Sequence, residues 1–142
     1  MPFNILVVDD SASMRKVLRK SITMCQIGEI NFFEAENGQT ALEVLKKEWV
    51  DLVFTDVNMP VMDGFEFASN LNDDEIHKNT PVIVVTSDLS AENAEAAKKS
   101  NIKHIVYKPF RPEAIRELLI NLLGLEVKED GDDDTEFEGL DF

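Results

Sequence analysis

The apolar residues of this chain fall into five short runs, separated by longer segments of helical period. In chain order the runs read FNILVV, INFFEA, DLVFT, PVIVVT and HIVY. Runs of this length are typical of buried strands, and strands that alternate with helices form a parallel sheet covered on both faces. The sequence therefore predicts an α/β fold with five strand–helix units over residues 3–124.

Signals for helix starts and ends support these units. Ser11 or Ser13 can cap the first helix, the second begins near NGQTALEVL and the third near DGFEFASNL. The fourth helix is predicted to run through SAENAEAAKKS. The fifth, RPEAIRELLINLLG, has Pro112 near its first turn and Gly124 at its end, as helices commonly do.

Length and charge restrict the function. The 142 residues suit one domain, and 28 acidic against 14 basic residues give a net charge of −14, which opposes binding to nucleic acid. The sequence has no apolar stretch long enough to insert into a membrane and no signal peptide, so we expect a cytoplasmic protein. The single Cys25 is interpreted as a small buried apolar residue.

Four of the five apolar runs end on a side chain that can bind phosphate or metal. These side chains are Asp9 and Asp10 after the first run, Asp56 after the third, Thr86 and Ser87 after the fourth, and Lys108 after the fifth. The carboxyl ends of parallel strands lie at one edge of a sheet, where open α/β sheets bind ligands. We therefore expect these groups to converge.

Three carboxylates in one place repel each other unless a cation lies between them. Oxygen ligands of this kind suit Mg²⁺, with Mn²⁺ as a plausible substitute. A carboxylate can also accept a phosphoryl group, and a lysine and a hydroxyl can position and neutralise that group. Asp56 fits the nucleophile, Asp9 and Asp10 the metal holders, and Lys108 and Thr86 the phosphate contacts.

Four motifs at characteristic separations, VVDDSASMRKVLR, DVNMPVMDG, VVTSD and YKPF, resemble those of response-regulator receiver domains. The resemblance covers residues 3–124 and is strongest to stand-alone, CheY-like chemotaxis regulators. It implies a flavodoxin-like (βα)5 fold: a doubly wound, parallel, five-stranded sheet of strand order 2-1-3-4-5. The expected receiver domain occupies residues 1–125.

The resemblance also implies individual roles. Asp56 matches the phosphoacceptor, Asp10 a direct metal ligand, Asp9 a ligand acting largely through water, and Asn58 the position whose backbone carbonyl completes the metal shell. Lys108 matches the phosphate-contacting cation and Thr86 the switch hydroxyl. The peptide between Lys108 and Pro109 is expected to be cis.

The sequence departs from the chemotaxis pattern at one switch position. Three residues before the lysine, where those regulators carry an aromatic residue that rotates inward, this chain has Ile105, and its only tyrosine is Tyr107. We expect Thr86 to move toward the phosphoryl group while Ile105 merely repacks.

The last 17 residues, 126–142, differ in composition from the rest. They hold nine acids and one lysine, a net charge of −8, which favours disorder. The spaced apolar residues Phe137, Leu140 and Phe142 are instead typical of a docking motif. We expect a disordered acidic tail; the alternative is that it docks on its own or a partner's receiver face, near Lys98, Lys99 and Lys103.

The function that follows is a single-domain response regulator in a two-component phosphorelay, in which a histidine kinase donates a phosphoryl group to Asp56. Such a protein is a signalling switch and not an enzyme with an external substrate. Expected partners are the kinase and a flagellar motor switch protein or a phosphatase. The alternatives are a phosphate sink or a regulator of another assembly.

Two rival classes fit the fold less well. A flavodoxin-like electron carrier needs a phosphate-binding loop after the first strand, where DDSASM places acids instead. An aspartyl phosphatase commonly needs a second acid two residues after the nucleophile, where Asn58 stands.

Overall fold

The computed structural model describes residues 2–87, 91–100 and 102–125, except for the side chains of residues 91 and 92. Five strands and five helices alternate along these residues. The strands are β1 (Phe3–Val8), β2 (Ile30–Ala35), β3 (Leu52–Thr55), β4 (Val82–Thr86) and β5 (His104–Tyr107). The helices are α1 (Ala12–Thr23), α2 (Gly38–Lys47), α3 (Gly64–Asn72), α4 (Ala91–Lys99) and α5 (Pro112–Leu123).

All neighbouring strands are parallel, and their order is β2-β1-β3-β4-β5. The predicted α/β fold and strand order are therefore confirmed. The predicted acidic tail, residues 126–142, lies outside the described residues.

Each face of the sheet carries its own apolar cluster, because alternate residues of a strand point to opposite faces. Ile5 and Val7 of β1 belong to the cluster under α1 and α5, together with Ile22 and Leu119. Leu6 and Val8 belong to the other cluster, which α2 and α3 cover. Cys25 is fully buried in the first cluster, as its surroundings in the sequence indicated.

Side chains at the helix starts fix where the helices begin. Ser11 accepts a hydrogen bond from the Met14 amide at the start of α1, and Asn37 forms a capping box with Thr40 at the start of α2. Pro112 opens α5, and Gly124 ends it in the left-handed region at φ 66°. None of the helices in the described residues is long and apolar enough to span a bilayer.

Candidate functional site

Asp56 directly follows β3 at the carboxyl edge of the sheet, and the backbone fixes its position. Its amide donates to the Val8 carbonyl at 2.9 Å, which ties it to β1. Its side-chain Oδ1 accepts a hydrogen bond from the Val57 amide at 2.8 Å. The other oxygen, Oδ2, lies 4.0 Å from Nζ of Lys108. The carboxylate is thus held at one oxygen and faces a cation with the other.

Asp9 and Asp10 follow β1, which lies beside β3. One carboxylate oxygen from each of Asp9, Asp10 and Asp56 lies within 4.8 Å of the other two. Asp9 is buried, with 2% of its surface exposed, and its Oδ1 accepts the Ser11 amide at 2.9 Å, whereas Asp10 is exposed. The structure therefore brings the three predicted carboxylates together, one deep, one half-buried and one open to solvent.

The electrostatics of the cluster are unfavourable without a cation. Burial is the main cause that raises the pKa of Asp9 above its usual range, and the nearby Asp56 and Asp10 carboxylates raise it further. The Ser11 amide and the Lys108 ammonium oppose this rise without cancelling it. Repulsion among close carboxylates is relieved by a bound cation, so the cluster is arranged for one.

The cluster fits a divalent cation with oxygen ligands. Its three oxygens are close enough to share one ion, and carboxylates with an open, solvent-facing side are the ligands that Mg²⁺ takes while keeping several waters. Asn58 lies in the loop after Asp56 with an exposed side chain. The role of its backbone carbonyl as a further ligand stays a prediction.

Thr86 at the end of β4 and Lys108 directly after β5 complete the same edge. Thr86 is the last residue of β4 and is only 4% exposed, and its carbonyl accepts the Lys108 amide at 2.9 Å. The peptide between Lys108 and Pro109 is cis, as predicted. The groups that the sequence placed at strand ends thus lie on neighbouring strands of one edge.

Ile105 lies in β5, two residues before Tyr107, which ends the strand at this edge. It pairs with Val84 in the ladder between β4 and β5, while Tyr107 pairs with Thr86 and has an exposed ring. Ile105 and Tyr107 both line a groove between β5 and α5. The residue at the predicted switch position therefore borders a surface groove.

Two residues that support the site were given no site role by sequence reasoning. Arg15 of α1 donates from Nη1 to the Asp9 carbonyl at 2.6 Å and from Nε to Glu34 of β2 at 2.8 Å. Gly64 opens α3 so close to β3 that a Cβ there would lie 2.2 Å from the Asp56 carbonyl oxygen. The close approach of Gly64 was signalled only by its place in a loop after Asp56.

Cys25 takes no part in this chemistry. The pKa of its thiol is raised to about 11, chiefly by burial and further by Glu113, while Arg116 opposes the rise. The thiol is therefore protonated at neutral pH and is no nucleophile there.

Together the fold and the site define a class: a flavodoxin-like α/β protein with a cluster of three carboxylates and an adjacent lysine at the carboxyl edge of its sheet. The model of the response regulator receiver domain matches residues 5–120, and the chain belongs to that family.

Relatives and solved structures agree with this assignment. The chain is 34% identical over 121 residues to a chemotaxis protein CheY homolog of Campylobacter jejuni, covering 84% of this chain and 92% of that protein. It is 36% identical over 115 residues to chemotaxis protein CheY-3 of Vibrio cholerae, covering 81% and 87% of the two chains. The structure of chemotaxis response regulator CheY4 of Vibrio cholerae superposes with a TM-score of 0.72 at 30% identity, covering 86% of this chain and 99% of that one.

Proposed function

We propose that the protein is a response regulator in which Asp56 accepts a phosphoryl group from a phosphohistidine of a histidine kinase, and that this modification changes which partners it binds. The observation that carries the proposal is the meeting of three carboxylates within 4.8 Å with Lys108 Nζ 4.0 Å from Asp56 Oδ2. Phosphoryl transfer needs positioning and charge neutralisation more than covalent chemistry, and this arrangement supplies both.

The transfer forms one bond and breaks one. An oxygen of Asp56 attacks phosphorus, the P–O bond to the carboxylate forms, and the P–N bond to the kinase histidine breaks. The histidine leaves with the electron pair of that bond and its nitrogen takes a proton from solvent. The Val57 amide holds Oδ1 and orients the carboxylate, so Oδ2 on the Lys108 side is the attacking atom.

The surrounding side chains stabilise the transferred group. The Lys108 ammonium lies where it can neutralise phosphoryl oxygens, and Thr86 ends the strand beside it. Asp9 and Asp10, with Asp56 and the Asn58 carbonyl, would hold Mg²⁺, or Mn²⁺ in its place. When bound, the ion offsets the negative charge of the carboxylates and of the phosphoryl group.

The output of the domain is binding and not turnover of an external substrate. A modification shifts a two-state surface only through contacts that differ between the states, here those from Thr86 and Lys108 to the phosphoryl group. Ile105 repacks as Thr86 moves. Structures with and without beryllofluoride test this step: a Thr86 side chain in the same rotamer in both would contradict it.

The setting that the relatives support is a chemotaxis phosphorelay. Both curated relatives described above carry chemotaxis names and match more than four fifths of this chain. The partners are a histidine kinase and a flagellar motor switch protein or phosphatase. Residues 1–125 form the receiver domain and 126–142 a separate acidic tail, consistent with a family match that ends at residue 120.

Intact mass after incubation with acetyl phosphate tests the chemistry. We expect the wild type to gain one phosphoryl group with Mg²⁺ and none with EDTA, and Asp56→Asn to gain none. Asp73→Asn is the matched control, because Asp73 is an exposed acid at the end of α3, and it should behave as the wild type does.

Two results would overturn the proposal. One is phosphorylation of Asp56→Asn at the wild-type level. The other is a wild type that neither gains mass nor changes its amide spectrum with beryllofluoride, which forms a stable mimic even where the phosphoryl group is short-lived.

A further inference from the structure

A second polar cleft lies at the amino edge of the sheet, opposite the carboxylate cluster. It lies between the end of α3, the segment before β4, and the turn that joins α4 to β5. Its polar lining residues are Asn72, Lys78, Asn79, Thr80, Ser100, Lys103 and His104. The Asn72 side chain donates to the Ser100 carbonyl, which connects α3 to the end of α4 across the cleft. The receiver chemistry proposed above uses none of these residues.

The cleft is basic in a strongly acidic chain. Lys78, Lys103 and His104 converge on it, and its described lining residues include no carboxylate. Lys98 and Lys99 in the last turn of α4 are exposed close by in sequence. Glu75 reduces this charge by pairing with Lys78 at 3.3 Å, but both side chains of that pair are well exposed and such pairs are weak. Asp73 and Asp74 also lie between Asn72 and Lys78 in the sequence, outside the lining. The surface therefore attracts anionic groups.

The size of the cleft favours side chains over a cofactor. Its volume is about 220 Å³, below the roughly 300–1,000 Å³ of sites that enclose small-molecule ligands. Carboxylates on an extended chain would fit such a cleft and meet its cations one by one.

The end of α5 delivers an acidic chain to this place. Leu122 of α5 lines the cleft. Gly124 then turns the backbone in the left-handed region, and the Leu125 amide closes the helix by donating to Ile120 at 3.0 Å. The segment that follows, residues 126–134, contains six acids and one lysine, and nine residues span about 30 Å when extended. A segment of this length that starts after Leu125 is long enough to reach the cleft.

We propose that residues 126–134 bind intramolecularly in the cleft formed by Lys78, Lys103 and His104. The charges are complementary, the segment starts at the cleft's edge, and attachment to α5 makes its local concentration high. Residues between α4 and β5 line the cleft, so binding there would connect the end of α4 to the segment that follows α5. It leaves the Asp56 edge open and does not depend on phosphorylation of Asp56.

Paramagnetic relaxation in the full-length protein tests this contact. A nitroxide is attached to Thr135→Cys. The wild type, in which the buried Cys25 is the only cysteine, is treated with the same reagent as the control for unspecific labelling. We expect loss of amide intensity at Lys78, Lys103 and His104, independent of protein concentration. The loss should disappear in 1 M salt, where charges are screened beyond about 3 Å.

Charge reversal supplies the matched variants. Lys103→Glu should abolish the intensity loss, whereas Lys47→Glu, at an exposed lysine in the last turn of α2, should leave it unchanged. Changing Asp132, Asp133 and Asp134 together to Lys should also abolish it, and combining that change with Lys103→Glu should restore part of it.

Four outcomes would overturn the proposal. They are no intensity loss at the cleft, a loss that survives Lys103→Glu, a loss that grows with protein concentration and so reports a second copy, and a loss confined to the groove between β5 and α5. All of them can be distinguished from a failure of Asp56 phosphorylation, which is measured separately as the gain in intact mass with acetyl phosphate.

Discussion

Asp9 is the most buried of the three clustered carboxylates, and we expect it to lower stability in exchange for cation binding. Its pKa is raised by burial and by Asp56 and Asp10, so an ionised Asp9 destabilises the folded state at neutral pH. A carboxyl group whose pKa is higher in the folded than in the unfolded protein increases the free energy of unfolding as the pH falls toward that raised pKa. Asp9→Asn should therefore raise the melting temperature in EDTA, because the amide keeps an oxygen for the Ser11 amide.

The same substitution should weaken Mg²⁺ binding at least roughly tenfold, since even indirect supports of metal sites have effects of that size. Thermal unfolding in EDTA and across a Mg²⁺ titration measures both effects, because an ion that binds only the folded state raises its stability by mass action. Glu43→Gln, at an exposed acid of α2, is the control and should change neither. A lower melting temperature for Asp9→Asn in EDTA would contradict the prediction.

At the residue scale, sequence reasoning found the groups that end strands and missed those that act across elements. The convergence of Asp9, Asp56 and Lys108 follows from strand parallelism alone. The contact of Arg15 with Asp9 and Glu34 depends on the distance between α1 and β2, which no local pattern encodes. The indole of Trp49 is likewise placed by a contact outside the strand pattern: the residue is 66% exposed and donates to Asp51 at 3.0 Å.

The loop between β3 and α3 holds Asp56 in place through close backbone contacts. The Gly64 amide donates to the Val57 carbonyl at 2.9 Å, and the Gly38 amide to the Met62 carbonyl at 3.0 Å. Val61, in the same loop, has φ 69°, a conformation that β-branched residues rarely adopt. The loop thus joins the starts of α2 and α3 to the end of β3.

Gly64→Ala should disturb this element because its Cβ would lie 2.2 Å from the Asp56 carbonyl oxygen, so the backbone of one of the two residues must shift. We expect a loss of about 1–3 kcal/mol in the free energy of unfolding, the usual effect of overpacking, and slower phosphorylation by acetyl phosphate. Denaturant unfolding and intact mass measure the two effects.

Gly124→Ala separates this clash from the general effect of replacing a glycine. It has no atom within 4 Å of its Cβ but keeps a left-handed φ of 66°, so it should lose only about 1 kcal/mol and phosphorylate normally. Equal phosphorylation rates for the two variants would contradict a positioning role for Gly64.

At the element scale, the predicted strands and helices match the observed ones closely, and the differences have local causes. The third and fourth runs were predicted to include Asp51 and Pro81, yet the strands begin one residue later. Asp51 uses its side chain to accept the Asn4 amide at 2.8 Å. Pro81 has no amide to donate to a ladder. The start of α1 was left between Ser11 and Ser13, and Ser11 is the cap.

At the scale of the whole molecule, one sheet separates two apolar clusters that share their strands. β1 contributes Ile5 and Val7 to one cluster and Leu6 and Val8 to the other. Alternation of strands and helices predicted this arrangement of layers, because parallel strands need cover on both faces. It did not predict the basic cleft at the amino edge, whose residues come from four separate segments of the chain.

Because β1 belongs to both clusters, the described α/β part should unfold as one cooperative unit. Leu119→Ala removes a buried side chain of α5, and Leu71→Ala removes one of α3. Each should lower the free energy of unfolding by about 2–5 kcal/mol and leave the denaturant slope unchanged. Val17→Ala, at a residue 47% exposed on α1, is the control and should change it by less than about 0.5 kcal/mol.

Two probes decide whether the clusters are coupled. Trp49 precedes Val50 of the α2 and α3 cluster, so its fluorescence reports that side, while far-ultraviolet circular dichroism reports the whole fold. Leu119 lies on the opposite face of the sheet. In Leu119→Ala both probes should show the same lower denaturant midpoint, because β1 contributes to both clusters and its unfolding on one face also disrupts the other. A fluorescence midpoint that stays at the wild-type value while the dichroism midpoint falls would mean that the two faces unfold independently.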